Sequence, residues 1–269
     1  MGYLALFAVG VTKFLLGKNK NEQIAMDWRK NAVQVFRQEF DHVGCNSDAQ
    51  SLALMQRSYS EYEYFASGRQ NVFYAEANLS LRKRHCLFTT LLFDLTSQTE
   101  DLVQFNIPLN LPKNMPLEFL VCRRKDLKGR VSKLTNPGNF IKNPNSKHFK
   151  LSEAEASSKN SLMVLAEHDE ISNNLIDQEV GLVLAKYGSL INLIHVTDLK
   201  QYNNFPLFLR AELQLTSESE EAQYTLLGLM LRLADNVAAY RMSQTVVQKC
   251  EKSRKQQKQE EQMQVKQAQ

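Results

Sequence analysis

The side chains able to do chemistry in this sequence are spread thinly and do not converge on a reaction. The five histidines are His42, His85, His148, His168 and His195, and the four cysteines are Cys45, Cys86, Cys122 and Cys250; only His85 and Cys86 are adjacent. No H-E-x-x-H, C-x-x-C, G-x-S-x-G or G-x-G-x-x-G occurs, so zinc hydrolysis, dithiol redox chemistry, the hydrolase elbow and dinucleotide binding lack their minimal signatures. Helical neighbours diverge by about 100°, so His85 and Cys86 alone make no catalytic dyad. His168-Asp169-Glu170 reads as a helix start, where carboxylates meet the positive end of the dipole. His195 reads as a satisfied histidine on a strand with Ile191 and Leu193. Gly10, Gly17 and Lys18 have the wrong spacing for a P-loop. The expectation is no catalytic residue, no metal and no cofactor.

The cations are more informative. The chain has 269 residues and formal net charge +4, but residues 123–150 carry nine basic residues against the single acid Asp126. Residues 151–248 carry six basic and 13 acidic residues, and residues 249–269 carry six and three. Arg123, Arg124, Lys125, Lys128, Arg130 and Lys133 fill a short predicted helix and its entry, and Arg82-Lys83-Arg84 is expected to open another. A charge run is usually a solvated face. A helix with one acid lacks i,i+4 counter-charges, however, and repels itself unless an anionic surface is near. Ribosomal RNA, anionic lipid or an acidic protein would each fit.

These residues need elements to position them. Met1–Leu16 is apolar except for Thr12 and Lys13. As a helix it is roughly 24 Å long, short of a roughly 30 Å hydrocarbon core. Lys18, Lys20, Arg29 and Lys30 follow, which by the positive-inside rule puts the remaining chain in the cytosol. We expect residues 1–17 to be the end of a transmembrane helix truncated at its start, 18–247 a cytosolic α+β domain, and 248–269 a charged, Gln-rich helical tail. The mid-strand sequon Asn78-Leu79-Ser80 is then unglycosylated.

Ile24, Trp28, Ala32, Phe36 and Phe40 recur at four-residue spacing, predicting an amphipathic helix over 22–40. Glu61–Ala66 and the alternating 72–81 predict strands. From there a βαββα order occurs twice: strand 72–81, helix 84–96, strands 101–108 and 117–122 and helix 124–134; then strand 162–166, helix 171–187, strands 190–197 and 207–215 and a long helix from 220. The repetition allows an internal duplication. The fold class is α+β, a largely antiparallel sheet with helices on one face. Residues 135–161 read as a linker. The last helix opens with a Ser217–Glu220 capping box and buries Leu226, Met230, Leu233, Val237 and Tyr240. Beyond Gln248 little apolar surface remains, predicting a solvated helix.

Phe14–Trp28, Glu63–Leu95, Phe119–Leu127 and the Leu226–Gln257 helix resemble the coiled-coil domain-containing protein 47 (calumin) family, in order over nearly the whole chain. The most specific pieces are Leu16-Gly17-Lys18-Asn19-Lys20-Asn21 and Ser67-Gly68-Arg69. The resemblance implies a single-pass endoplasmic reticulum membrane protein, a subunit of the PAT intramembrane chaperone complex. Its implied partners are an Asterix-like small membrane protein, the Sec channel and the multipass translocon, ribosomal RNA near the exit tunnel, and client transmembrane segments. Carried onto this chain, Lys249, Lys252, Arg254, Lys255 and Lys258 would face the ribosome, with the Arg123–Lys133 helix a second surface. The family's calcium binding is attributed to an acidic luminal region that this sequence does not contain, so it is transferred to no residue. Two alternatives compete: a membrane-tethered adaptor whose basic helix binds anionic lipid or acidic protein, and a soluble α+β enzyme with its apolar N-terminal helix in the core.

Overall fold

The computed structural model describes residues 2–44, 54–85, 100–111, 115–131, 140–142, 147–149, 161–199, 205–215 and 220–268. Among them are six α-helices and ten strands, and the strand pairs whose registers are given below are antiparallel. The chain divides into two compact units. One comprises Met1–Arg69, Tyr74–Asn106 and Glu212–Leu227; the other comprises Gln70–Phe73, Ile107–Ala211 and Gly228–Gln269.

In the first unit, helix α1 (Gly2–Glu39) runs unbroken and is followed by β1 (His42–Val43), β2 (Met55–Gln56), β3 (Glu61–Ser67), β4 (Ala75–Ser80) and most of β5 (Leu102–Pro108). Strand β3 is central: β1 pairs at its Ser67 end, β2 opposite Tyr62 and Glu63, and β4 along its length, with Tyr64 opposite Ala77. Strand β4 in turn pairs β5, with Ala77 opposite Phe105. Alternation gives each strand one apolar face, and Tyr62, Tyr64, Ala66, Ala75, Ala77, Leu79, Val103 and Phe105 are all buried. The predicted stripe of α1 covers that face. Trp28 meets the Tyr64 ring edge-on at 5.7 Å and Phe105 at 6.4 Å, and Phe36 lies 5.5 Å from Tyr64. Burial of Tyr64 pushes its phenol up to about 12.

In the second unit, β6 (Glu118–Arg123) lies between β8 (Leu162–Ala166) and β9 (Ile191–Thr197), and β7 (Ile141–Lys142) pairs β8. Every residue of β6, β8 and β9 is buried, so these are two-sided core strands, which explains their near-continuous apolar sequences. Strand β10 (Phe208–Gln214) divides its residues between the units. The remaining helices are α2 (Leu127–Val131, after a 3-10 turn at Arg124–Asp126), α3 (Asp169–Leu175), α4 (Gln178–Tyr187), α5 (Glu220–Ala239), whose residues through Leu227 belong to the first unit, and α6 (Gln244–Ala268). The buried stripe of α5 is the expected one: Leu226, Met230, Leu233, Val237 and the following Tyr240.

Several expectations need correction. The helix predicted over 171–187 is two, because the Asp177 carboxylate accepts the Val180 N–H at 2.8 Å and starts α4 afresh. The long C-terminal helix also breaks, at residues 240–243, where Arg241 Nη1 donates to the carbonyls of Ala238 (2.7 Å) and Tyr240 (3.0 Å). Arg82-Lys83-Arg84 opens no helix among the described residues; Arg84 lies in a turn and pairs with Asp101. The unit boundary does not follow the two predicted repeats, since β6 pairs with β8 and β9 of the other repeat. Most of the predicted 84–96 helix, most of the 135–161 linker and the Ser217 cap lie outside the described residues. No helix among the described residues is long and apolar enough to cross a membrane, so the single-pass reading of residues 1–17 rests on the sequence pattern alone.

Candidate interaction surface

Among the described residues, several ionisable groups gather in buried braces. His195 (0% exposed) and Glu118 (1%) face each other across β9 and β6, Nε2 to Oε2, at 2.9 Å. The Thr197 hydroxyl donates to the other Glu118 oxygen and accepts the Leu199 N–H at 3.0 Å. With all three side chains buried, the group stitches two core strands and presents no nucleophile to a substrate. The helix expected to start at His168-Asp169-Glu170 does so, and His168 itself caps it: its Nδ1 accepts the Glu170 N–H at 3.1 Å. Among the described residues no group of His, Cys, Asp and Glu could hold a metal.

One brace fixes the tail helix. Residues Val246, Cys250 and Arg254 fall at four-residue spacing on α6, with Val246 and Cys250 buried. Arg254 is 13% exposed at its side chain and binds two carboxylates at once. Its Nε and Nη2 donate to Glu167 (2.7 and 2.8 Å), and its Nη1 and Nη2 donate to Asp198 (2.8 and 2.7 Å). Glu167 follows β8, Asp198 follows β9, and Asp198 also accepts the Leu117 N–H ahead of β6 at 3.0 Å. The guanidinium therefore sits over one end of the three paired core strands. Burial raises the Glu167 carboxyl above its usual range, while the Arg254 bonds oppose that shift. Burial pushes the neighbouring Cys250 thiol up to about 11.

The predicted contact residues consequently separate. Lys249, Lys252, Lys255 and Lys258 are exposed on α6. Arg254 faces inward, and so does Arg123, which is 5% exposed and donates from Nη2 to the Ser189 carbonyl. Arg124, Lys125 and Lys128 are exposed and Arg130 half-exposed; Lys133 lies outside the described residues. Charge counting could not distinguish the anchoring Arg254 from the solvated Lys252 two residues away. The four-residue continuation Val246–Cys250–Arg254 was the available signal.

The sequence piece Leu16–Asn21 proves structural as well. A Cβ on Gly17 would stand 2.3 Å from the Arg84 carbonyl oxygen, so only glycine lets that chain cross α1. Asn21 is fully buried; its Nδ2 donates to the carbonyls of Tyr59 and Arg82, both at 2.9 Å, and its Oδ1 accepts Arg84 Nη1 at 3.0 Å. Arg84 also grips Asp101 through bonds of 2.8 and 2.6 Å. In Ser67-Gly68-Arg69, Gly68 has φ +89° against Asp41, and Arg69 Nε pairs with Glu39 at 3.1 Å.

Fold and site together define an α+β protein whose buried ionisable groups brace core elements and whose exposed cations line a helix surface. The chain belongs to the family of PAT complex subunit CCDC47, whose model matches residues 1–269. It is 24% identical over 255 residues to an uncharacterized Arabidopsis thaliana protein, At5g49945, covering 93% of this chain and 52% of the relative. It is 24% identical over 267 residues to PAT complex subunit CCDC47 of Xenopus laevis, covering 91% and 53%. The human PAT complex subunit CCDC47 is 24% identical over 192 residues, covering 70% and 38%. The chain thus spans about half the length, or less, of these curated relatives.

Proposed function

We propose that this chain is a non-enzymatic subunit of a PAT-like intramembrane chaperone complex of the endoplasmic reticulum. In this reading it binds translating ribosomes at the Sec translocon and assists insertion and folding of multi-pass membrane proteins. Its partners are an Asterix-like membrane protein, other multipass translocon components and client transmembrane segments. The whole-chain match to the PAT complex subunit family carries the proposal. Two local observations support it. The start of α1 leaves Val9, Val11, Leu15 and Leu16 between 42% and 63% exposed, as a single membrane anchor would. The braced α6 carries Lys249, Lys252, Lys255 and Lys258 outward on a helix of fixed direction, suited to ribosomal phosphates.

The test is co-sedimentation of the detergent-solubilised chain with ribosomes at several salt concentrations. Replacing the four lysines with Glu should weaken binding by about tenfold or more and flatten its salt dependence. Unchanged affinity and slope would sink the ribosome role of the tail. Flotation with anionic liposomes then asks whether Arg124, Lys125 and Lys128 serve the lipid-adaptor alternative.

A further inference from the structure

We propose that the loops carrying Tyr59 and Lys83 form a collar around α1 that binds the headgroup layer of an anionic bilayer. The inference rests on α1 being membrane-anchored and adds where the folded unit itself meets lipid. Two chain segments are fastened to α1 at one level. The Arg84 backbone crosses it at Gly17, and the buried Asn21 amide holds the carbonyls of Tyr59 and Arg82. The described helix before this crossing leaves Val9 (56%), Val11 (42%), Leu15 (50%) and Leu16 (63%) open.

At the crossing the surface changes character. Phe14 packs edge-on against Tyr59 at 5.4 Å, Tyr59 against His85 at 5.5 Å, and Lys18 Nζ stands 5.3 Å over the Tyr59 ring. Tyr59 nevertheless remains 41% exposed. Lys13, Lys20 and Lys83 are exposed at the same end of the unit, beside the exposed carboxylates of Glu22 and Glu61. Arg57 and Arg84 are matched to Glu63 and Asp101 and contribute little net charge.

Over roughly 12 Å of helix, from Val9 to Leu16, exposed aliphatic side chains are interrupted only by Thr12 and Lys13, and at Gly17 they meet an aromatic and cationic rim of Tyr59, Lys18, Lys20 and Lys83. Hydrocarbon, interface and water follow one another in that order in a bilayer. An amphipathic ring such as that of Tyr59 prefers the interface, and lysines extend their charge to lipid phosphates from just below it. A water-facing helix gains nothing from exposed aliphatic side chains above such a rim, and the excess of lysines over Glu22 and Glu61 there favours an anionic surface.

The experiment reconstitutes the full chain carrying Tyr59→Trp into vesicles of mixed zwitterionic and anionic phospholipid. The lipids are brominated either near the headgroup or near the chain ends. Parent protein supplies the background from buried Trp28, and carbonate-resistant flotation confirms insertion. Shallow bromines should quench the new tryptophan about twofold more than deep ones, as expected for an interfacial ring, and Lys83→Glu should reduce that quenching. Protein that floats but shows no added quenching overturns the collar while leaving the anchor intact; the ring then faces solvent or a protein. Protein that carbonate strips from the vesicles overturns both collar and anchor.

Discussion

Arg254 and Glu167 lie 87 positions apart in sequence and meet through two parallel hydrogen bonds of 2.7 and 2.8 Å. With Asp198 taking the remaining face of the guanidinium, this contact holds the tail helix against one end of the core strands. A buried charge that loses its partner is left uncompensated. Arg254→Ala should therefore cost about 3–5 kcal/mol if the carboxylates stay buried, and less if α6 lifts and lets water in. Denaturant titration gives the total, and hydrogen exchange over residues 244–258 separates the two cases. Wild-type protection of that stretch in the variant would refute the clamp.

Cys250 reports the same contact chemically. Its buried thiol, raised to about 11, holds little thiolate at neutral pH. Maleimide labelling should be slow in the folded wild type and faster in Arg254→Ala. Equal rates at Cys250, read by peptide mass spectrometry, would mean that α6 stays seated without its arginine.

Gly17 and Gly228 should respond oppositely to alanine. At Gly17 the new Cβ meets backbone at 2.3 Å, which cannot rotate away, so a loss of about 1–3 kcal/mol is expected. Gly228, in α5, has nothing within 4 Å of the added Cβ and should gain about 0.5–1 kcal/mol from helix propensity. Paired thermal melts decide both.

Acid should loosen the corner between α5 and α6. Burial would raise the Glu170 carboxyl, but Ser243 (N–H at 3.0 Å, hydroxyl at 2.8 Å) and the Tyr240 hydroxyl (2.9 Å) hold it below its ordinary range. A depressed folded-state pKa contributes stability that is present above the unfolded value and lost as pH falls through the folded one. The melting midpoint should fall as pH drops below about 4, less steeply in Glu170→Gln. Identical slopes in the two proteins would count against this contact.

Much of the fold was legible because it is written at short period. Strand Leu162–Ala166 was placed to the residue, and the stripes of α1 and α5 were read from four- and three-residue spacing. Helix breaks were missed where a side chain competes for backbone donors, as Asp177 does for Val180. The braces were not legible at all: nothing near Asn21 announces that its amide will bond carbonyls 38 and 61 positions away.

By itself, the sequence determined the α+β class, the buried stripes, the lack of recognisable catalytic spacing and the uneven charge. Each is a property of composition or of neighbours within a helical turn or strand alternation. Only the tertiary structure decided which cations are available. Lys252 and Arg254 are two residues apart in the same basic run, yet one is exposed and the other is enclosed by Glu167 and Asp198. That outcome depends on where the ends of two core strands bring their carboxylates, which no local pattern encodes.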